Sequence, residues 1–510
     1  MGEDPSVRIG IVGAGVSGLA CARTLRAAGF DVVVYDRAPD LGGVWSRTRT
    51  YPGVSTQDDR RSYSFSDLPM PEDFAEHPSG AEVRSYLEAY ARTHGLEESL
   101  RLQTEVVAAE PWPDERGWLV RSRGPEGDQA DLVDYLVVAN GVYCRPHVPD
   151  WPGRAAFEAA GGRVLTPAEV GDGSALAQAR LVVVGWGKTA CDLATAGSAA
   201  SRSTTVVARN VSWKLPKRLG RHLTFRHLLL TRLGEHVMAT PHRTRLGRLV
   251  FLATWAPRFA VSRRLRGTVT RQLGLEGLGL RPRTPLSFGN SLVTEGFFEA
   301  VAEGRITTLP GRQVRSLGVV DGTPTVELSD GALLPADVVL AATGYDQVVD
   351  LLDEPTRRRL LEPDGSLRLH RKILPTRVAQ LAFVGWSQSY RSPLLAEIQS
   401  VWLVAHLLGQ LRLPEPDRRQ TTAPTFLLTH ERVAVAHAPQ VPSGSFGELD
   451  ELLEDLDLRL PLRTRLEQLV VPLDPASYAD LLPRVLARAQ RAPAVPRRRG
   501  RRRPDLDPVP

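Results

Sequence analysis

Residues 7–45 constrain the fold of this chain of 510 residues more than any other segment. A β-branched run leads into the turn Gly13-x-Gly15-x-x-Gly18, a helical pattern follows, and a second β-branched run ends at the acid Asp36. A dinucleotide-binding fold requires this order of strand, glycine turn, helix, strand and acid. The glycines let backbone amides approach a diphosphate, and the acid can accept hydrogen bonds from a ribose. The segment therefore predicts a nucleotide-binding α/β unit; the alternative is an ordinary βαβ unit whose glycines serve packing.

A second glycine turn follows an apolar strand run near the middle of the chain. It reads Gly185-x-Gly187 and continues into Lys188-Thr189 at the start of a helical pattern. The next strand ends at Arg209 instead of an acid, and a guanidinium at that place suits the 2′-phosphate of NADP. We therefore predict a second dinucleotide unit that prefers NADP(H), with Lys188 adding charge near the phosphates. The alternative for Arg209 is an ordinary surface arginine.

Three further motifs carry a family resemblance. Asp36, Gly43 and Trp45 follow the signature ExxxxxGGxW of FAD-binding monooxygenases, with Asp in place of Glu. Residues 51–71 match a family segment that ends in a Phe-Ser-Asp-Phe-Pro run, and Thr343 lies in an Ala-Thr-Gly-Tyr motif. On these residues the chain resembles the flavin-containing monooxygenases, which are class B flavoprotein monooxygenases related to the Baeyer–Villiger monooxygenases.

The resemblance implies an α/β fold with two dinucleotide-binding, Rossmann-like domains, the FAD domain being interrupted by the NADP domain. We expect the FAD domain at 1–176 and 336–490, and the NADP domain at 177–335 with a basic helical insertion at 214–285. Residues 491–510 are rich in arginine and proline, and we expect them to form a disordered basic tail.

The resemblance also implies an activity. NADPH would reduce FAD, and O2 would then form a C4a-(hydro)peroxyflavin that oxygenates a small organic substrate. The family has an Asn at the position of Gln57, where it helps to hold this species; Baeyer–Villiger enzymes have an Asp there and an Arg at the position of Ser55. Because that Arg is missing, we favour N- or S-oxygenation. Baeyer–Villiger oxygenation, an NADPH oxidase or dehydrogenase without oxygen transfer, and a non-enzymatic nucleotide-binding interaction protein stay open.

The motifs give a set of candidate site residues. Gln57 and Asp58 are the candidate catalytic residues, against the alternative that both are ordinary polar residues of a loop. The candidate cofactor-binding residues are Gly13, Gly15, Ser17, Gly18, Asp36, Arg37, Gly43, Trp45, Thr56, Gln57, Val106, Gly185, Gly187, Lys188, Thr189, Arg209, Thr343 and Gln399.

Charge is distributed unevenly along the chain. The formal net charge is +6, but residues 214–283 contain sixteen Lys or Arg and only two Glu. Apolar residues recur there at helical spacing around 225–233, 246–252 and 265–273, which predicts basic amphipathic helices. Such helices could form a lid, contact a membrane surface or bind an acidic carrier. Nucleic-acid binding is not expected, because no recognition motif accompanies the charge.

Cysteine usage and hydropathy suggest the compartment. Cys21, Cys144 and Cys191 are too few and too widely spaced for a disulfide framework or a metal site. The sequence shows no secretory leader, and no apolar run reaches the ~18 residues of a membrane-spanning helix. We therefore expect a cytoplasmic protein, with peripheral membrane contact and homo-oligomerisation left open.

Overall fold

The computed structural model describes residues 7–113, 116–220, 223–238, 253–286, 291–362, 366–367, 369–387, 389–414, 425–426 and 445–491. Two parallel sheets of five strands each organise these residues. The predicted α/β class with two Rossmann-like domains is confirmed.

The first sheet is built around the N-terminal strand Arg8–Val12, which pairs in parallel with Asp31–Tyr35 on one side and Tyr135–Val138 on the other. Burial on both faces explains the continuous apolar run of this strand, in which Ile9 and Ile11 are fully buried. The complete order across the sheet is Leu381–Phe383, Tyr135–Val138, Arg8–Val12, Asp31–Tyr35 and Leu100–Arg101.

The helix Val16–Ala27 connects the first two strands, as the glycine turn predicted, and buries Leu19 and Leu25. It packs against the long helix Ser392–Leu407, which is buried along most of its length. The helices Val16–Ala27 and Ser392–Leu407 therefore cover one face of the first sheet together.

The second sheet repeats the arrangement around the strand Arg180–Val184, with the helix Lys188–Ala200 after the second glycine turn. The chain leaves the first sheet after Tyr135–Val138 and returns to it with Leu381–Phe383, so the second domain interrupts the first. The order across the second sheet is Ile306–Pro310, Ser203–Ala208, Arg180–Val184, Val338–Ala341 and Arg163–Leu165.

The second sheet includes two strands that lie outside the range 177–335 predicted for the second domain. Arg163–Leu165 pairs in parallel with Val338–Ala341, which in turn pairs with Arg180–Val184. The prediction took Val338–Ala341 as the return to the FAD domain because the Ala-Thr-Gly-Tyr motif follows it. In the structure the return begins only after this strand, since its four residues are buried inside the second sheet.

Two antiparallel sheets of three strands flank the parallel ones. One consists of Glu105–Pro111, Trp118–Gly124 and Gly127–Val133, and the other of Val314–Val320, Thr323–Leu328 and Leu333–Pro335. Within the described residues the other α-helices are Gly80–Thr93, Arg154–Ala159, Phe225–Leu229, Arg232–Met238, Trp255–Gln272, Phe297–Ala302, Glu354–Leu360, Phe446–Asp455, Leu462–Glu467 and Leu481–Arg491. Short strand pairs join Arg145–Pro146 to Tyr345–Asp346, Lys214–Leu215 to Ser291–Leu292, Arg218–Leu219 to Leu223–Thr224, Ser366–Leu367 to Thr425–Phe426, and Leu369–His370 to Leu374–Pro375.

The basic insertion contains three of these helices, Phe225–Leu229, Arg232–Met238 and Trp255–Gln272. The helix predicted at 246–252 and the tail beyond Arg491 lie outside the described residues. Part of the positive charge is neutralised by acids from outside the insertion, in the ion pairs Arg226–Asp59, Arg232–Asp450 and Lys217–Glu295. In the part of the chain that the structure covers, we find no helix long and apolar enough to cross a lipid bilayer.

Candidate active site

The first glycine turn has no room for side chains at two of its glycines. Gly13 has a φ of +110°, and a Cβ atom built on it would lie 2.6 Å from the carbonyl oxygen of Ala139. A Cβ atom on Gly18 would lie 1.8 Å from the carbonyl oxygen of Gly13. These distances are far below van der Waals contact, so the turn and the approach of the helix to the strand both require glycine.

Gly15, the remaining glycine of this turn, lies against the Gly-Gly-x-Trp signature. A Cβ atom on Gly15 would lie 3.4 Å from the Cα atom of Gly43, and one on Gly43 would lie 3.1 Å from the Cα atom of Gly15. Two stretches of backbone without side chains thus lie against each other at the N-terminus of the first helix. The N–H groups there can receive an anionic or flat ligand, which is how a nucleotide diphosphate is bound in this fold.

Asp36 lies at the end of the second strand and stabilises the glycine turn by hydrogen bonds. Its carboxylate accepts hydrogen bonds from the backbone N–H of Ala14 at 2.7 Å and of Ala38 at 2.8 Å. Next to it, the exposed Arg37 donates to the carbonyl oxygen of Cys144 at 3.3 Å. The predicted role of Asp36 as the ribose acceptor stays a prediction, and its half-buried position beside the turn is compatible with it.

Ser17 and Gln399 meet at a glycine that the sequence analysis missed. Gly385, at φ +75°, follows the last strand of the first sheet, and a Cβ atom on it would lie 1.9 Å from the Ser17 Oγ atom. The Oε1 atom of Gln399 accepts from the Gly385 N–H at 2.9 Å. Gln399 is fully buried, and its Nε2 atom has no hydrogen-bond partner within the described residues. The strand run followed by Gly385-Trp386 was the available signal.

Three other predicted cofactor residues occupy separate places around the first domain. Trp45 is buried and donates from its indole nitrogen to the hydroxyl of Tyr63 at 3.0 Å. Val106 is half-buried in the strand Glu105–Pro111. The Thr343 hydroxyl donates to the backbone carbonyl of His147, at the crossing from the second sheet back to the first.

The second glycine turn has the same construction as the first. Gly185 has a φ of +135°, and a Cβ atom there would lie 2.2 Å from the carbonyl oxygen of Ala342. Gly187 faces open space and directly precedes the helix Lys188–Ala200. At the end of the neighbouring strand, Arg209 is exposed, and within the described chain no hydrogen bond or ion pair occupies its guanidinium. This combination fits a nucleotide with an additional phosphate.

The loop of residues 50–71 brings Gln57 to the second domain. Thr56 fixes the loop by donating from its hydroxyl to the carbonyl of Asp58 at 2.6 Å and from its N–H to the carbonyl of Pro78 at 2.9 Å. The Gln57 Oε1 atom accepts from the backbone N–H of Leu292 at 3.0 Å. This bond fixes the orientation of the amide. Its Nε2 donor has no hydrogen-bond partner among the described residues.

Asp58 is buried, with 2% of its surface exposed, and its Oδ1 atom has no hydrogen-bond partner among the residues described. Burial and, after it, the charge of Asp59 raise the pKa of Asp58 well above its ordinary value. Arg391 and Arg226 act in the opposite direction, but Arg226 pairs with Asp59 at 2.7 Å and Arg391 pairs with Glu235 at 3.1 Å. Burial and the charge of Asp59 therefore favour the protonated form of this carboxyl more than in an exposed aspartate.

A family model described as flavin-binding monooxygenase-like matches residues 6–425. The chain belongs to this family. The protein is a flavin-dependent monooxygenase, as the resemblance in the sequence predicted.

Individual proteins agree with this assignment. The probable flavin-containing monooxygenase 1 of Arabidopsis thaliana is 29% identical over 455 residues, which are 81% of this chain and 84% of the relative. The structure of the S-allyl-L-cysteine S-oxygenase from Allium sativum superposes with a TM-score of 0.57 at 18% identity, covering 95% of this chain and 98% of the other. The cyclohexanone monooxygenase from Rhodococcus sp. Phi1, bound to NADP+, gives a TM-score of 0.64 at 18% identity, with coverages of 88% and 97%. The sequence prediction of FAD and NADP(H) agrees with these similarities.

The geometry of this monooxygenase fits a flavin dinucleotide in the first domain. Gly13, Gly15 and Gly18 leave backbone uncovered where a diphosphate is bound in this fold, and Gly43 extends that surface. The buried Nε2 donor of Gln399, which has no partner in the described part of the chain, gives a second point of attachment. We therefore expect these residues to hold FAD.

The monooxygenase also contains a polar cluster that the sequence analysis missed. Asp192 is 2% exposed, forms an ion pair with Lys188, and accepts from the hydroxyl of Thr294 at 2.6 Å. The Tyr51 hydroxyl donates to the Thr189 Oγ1 atom at 3.0 Å. Lys188 thus pairs with the next turn of its own helix, and Tyr51 ties the loop 50–71 to that helix. The spacing of Lys188 and Asp192 by four residues was the signal for this pair.

A buried glutamate holds the far end of the same loop. Both oxygens of Glu397 accept from Ser66, one from the backbone N–H at 2.8 Å and the other from the hydroxyl at 2.9 Å. Burial is the largest effect on this carboxyl and raises its pKa to about 8, while the bonds from Ser66 oppose that rise. The loop that carries Gln57 and Asp58 is therefore fixed both to the second domain and to the helix Ser392–Leu407.

Proposed function

We propose that this monooxygenase takes its electrons from NADPH through FAD and transfers one oxygen atom of O2 to a nucleophilic nitrogen or sulfur of a small organic substrate. The observation that carries this proposal is the hydrogen bond of Gln57 to Leu292, because it fixes a polar amide of the flavin domain against the second domain. FAD, when bound, supplies the redox and oxygen chemistry.

The residues of the chain would bind and orient the reactants. Arg209 supports the choice of NADPH over NADH, since its guanidinium, which has no partner among the described residues, follows the strand where the 2′-phosphate is recognised in this fold. The Nε2 atom of Gln57 supplies an N–H donor, and the neighbouring Asp58 carboxyl, whose pKa burial raises, supplies an O–H donor when it is protonated. Both lie on a loop whose neighbours Thr56 and Asp59 are buried, so water is largely excluded there.

The preference for nitrogen or sulfur over a ketone rests on the guanidinium groups near this loop. Position 55 is a serine, so the arginine of the Baeyer–Villiger pattern is missing. Two other arginines approach the same loop from elsewhere in the fold, Arg226 and Arg391, but each is paired with a carboxylate, Asp59 and Glu235 respectively. Because both guanidinium groups are already paired, we propose that neither replaces the missing arginine.

The basic insertion, in our proposal, acts as a lid over the loop 50–71. Its helix Phe225–Leu229 supplies Arg226 to Asp59, and the Phe225 ring packs edge-on against Tyr390 with centroids 5.2 Å apart. A membrane surface or an acidic carrier as its partner is a weaker proposal, because several of its cations already have acidic partners inside the fold.

The experiment is a substrate panel with the purified, FAD-loaded protein. NADPH consumption, hydrogen peroxide release and product are measured with amines, sulfides and ketones. We expect amines or sulfides to accelerate NADPH consumption and to yield the N-oxide or sulfoxide. Lactones or esters from ketones would assign the Baeyer–Villiger reaction. NADPH consumption that yields only peroxide would assign an oxidase, and a protein that binds neither FAD nor NADPH would overturn the proposal altogether.

A further inference from the structure

We propose that Lys214 strengthens NADP(H) binding from inside the protein, by polarising the peptide unit between Trp186 and Gly187. This inference rests on the proposed use of NADPH, and it assigns a positioning role to a residue that never faces the nucleotide. It acts through the second glycine turn.

Lys214 is a buried cation directly behind this turn. Only 2% of its surface is exposed, and its Nζ atom donates to the carbonyl oxygen of Trp186 at 2.6 Å and to the Ser291 Oγ atom at 2.9 Å. The strand pair Lys214–Leu215 and Ser291–Leu292 holds Lys214 in register with Ser291, and the bond to Trp186 joins it to the glycine turn. The lysine therefore has a fixed position relative to the glycine turn.

The partners of this ammonium group are neutral. Within the described residues Lys214 forms no ion pair, and the nearby carboxylate of Asp192 is taken by Lys188 and Thr294. A buried cation without an anionic partner is unfavourable by several kcal/mol as an order of magnitude. An anion close to the group would offset part of this cost, and a diphosphate on the outer side of the turn would be such an anion.

The path from the lysine to the nucleotide is one peptide unit. The carbonyl that accepts from Lys214 belongs to Trp186, and the same peptide unit ends in the N–H of Gly187 at the start of the helix Lys188–Ala200. A cation on the carbonyl increases the positive charge on that N–H, because hydrogen bonds in series polarise each other. The Gly187 N–H has no recorded acceptor among the described residues, and the space beside its Cα atom is open. It is thus available to a phosphate oxygen, with the helix dipole acting in the same direction.

The charge state of Lys214 depends on its surroundings. Burial is the largest effect and lowers its pKa, while Cys191 and Asp192 raise it and Lys188 lowers it. A diphosphate bound at the turn would favour the charged form. The alternative is that Lys214 has a purely structural role and only joins the glycine turn to the strand pair by hydrogen bonds.

The experiment compares NADP+ binding by the FAD-loaded wild type, Lys214→Met and Lys214→Gln, using isothermal titration calorimetry at several salt concentrations. Lys214→Gln keeps a hydrogen-bond donor for Trp186 but removes the charge, so it separates the two explanations even if Lys214→Met does not fold. Lys217→Met is the matched control, because Lys217 is a partly exposed lysine that pairs with Glu295.

We expect Lys214→Gln to raise the Kd for NADP+ about tenfold and to raise the Kd for NAD+ by the same factor, since Arg209 is untouched. FAD content and the Tm should change little, and Lys217→Met should bind like the wild type. Wild-type affinity in Lys214→Gln would overturn the inference. If the wild type itself does not bind NADP+, the proposed use of NADPH fails, and the inference fails with it.

Discussion

The side-chain oxygen of Gln57 accepts a hydrogen bond from the backbone N–H of Leu292, 235 positions further along the chain. One residue belongs to a loop of the FAD domain and the other to a short strand beside the second nucleotide turn. This bond takes one lone pair of the oxygen, while both N–H donors of the amide stay available to a ligand. Through this contact, the orientation of the Gln57 amide in the FAD domain depends on the position of the second domain.

Replacing Gln57 tests this donor. Gln57→Glu keeps an oxygen for the Leu292 N–H but removes the N–H donor and adds a charge. We expect product per NADPH to fall at least tenfold with a matching rise in hydrogen peroxide, because loss of one preorganised donor commonly costs that much or more. Peroxide and product are measured together, and unchanged coupling would show that the amide does not contact the reacting groups.

Arg209 is the residue that we propose selects NADPH over NADH. Arg209→Gln removes the exposed guanidinium at the end of the strand Ser203–Ala208. We expect kcat/KM for NADPH to fall about tenfold to a hundredfold, consistent with the loss of charge-assisted hydrogen bonds worth about 1.5–3 kcal/mol, while the value for NADH stays nearly constant. Arg202→Gln, at the opposite end of this strand, is the control. Equal losses with both cofactors would place Arg209 away from the 2′-phosphate.

Two glycines of the nucleotide turns should respond differently to alanine. In Gly18→Ala the new Cβ atom would lie 1.8 Å from a backbone oxygen, so we expect loss of bound FAD and several kcal/mol of destabilisation, as an order of magnitude for a forced backbone shift. In Gly187→Ala the methyl group meets no atom of the described residues within 4 Å, its chain neighbours aside. This variant should keep its FAD and its Tm but bind NADP+ more weakly, as measured by calorimetry. Normal NADP+ binding would mean that no phosphate approaches Gly187.

Glu397 should make stability depend on pH. Its folded-state pKa of about 8 lies above the ordinary value of 4.5, so the folded protein binds more protons than the unfolded chain between these pH values. Stability from this group is therefore present at low pH and is lost as the pH rises through 8, at roughly 1.4 kcal/mol per pH unit within the window. Asp67 and Arg23 are the charged neighbours that also act on it.

Glu397→Gln removes this ionisation and keeps an acceptor for Ser66. We expect its free energy of unfolding to change less between pH 6 and pH 8 than that of the wild type, by about 1–3 kcal/mol. Urea unfolding at several pH values measures the difference directly. Parallel curves for the two proteins would show that Glu397 is ionised throughout, with Ser66 and Arg23 outweighing burial.

Local sequence determined the two nucleotide turns. Gly13 and Gly185 have positive φ angles that only glycine adopts easily, and the apolar runs before them form the central strands of two parallel sheets. The helix Gly80–Thr93 likewise follows from its own residues, since Ser79 and Glu82 form a reciprocal cap at its start. Such features depend on backbone sterics and on the period of apolar residues, both of which act over a few positions.

Tertiary structure alone decided what surrounds these turns. The bond of Gln57 to Leu292, the contact of Lys214 with Trp186 and the meeting of Ser17 with Gly385 all join segments far apart in the chain. The burial of Asp58 also depends on elements from elsewhere. No periodicity or local conformational preference encodes such contacts, because they form only when segments distant in the chain pack together, and that packing sets which polar atoms lose their water.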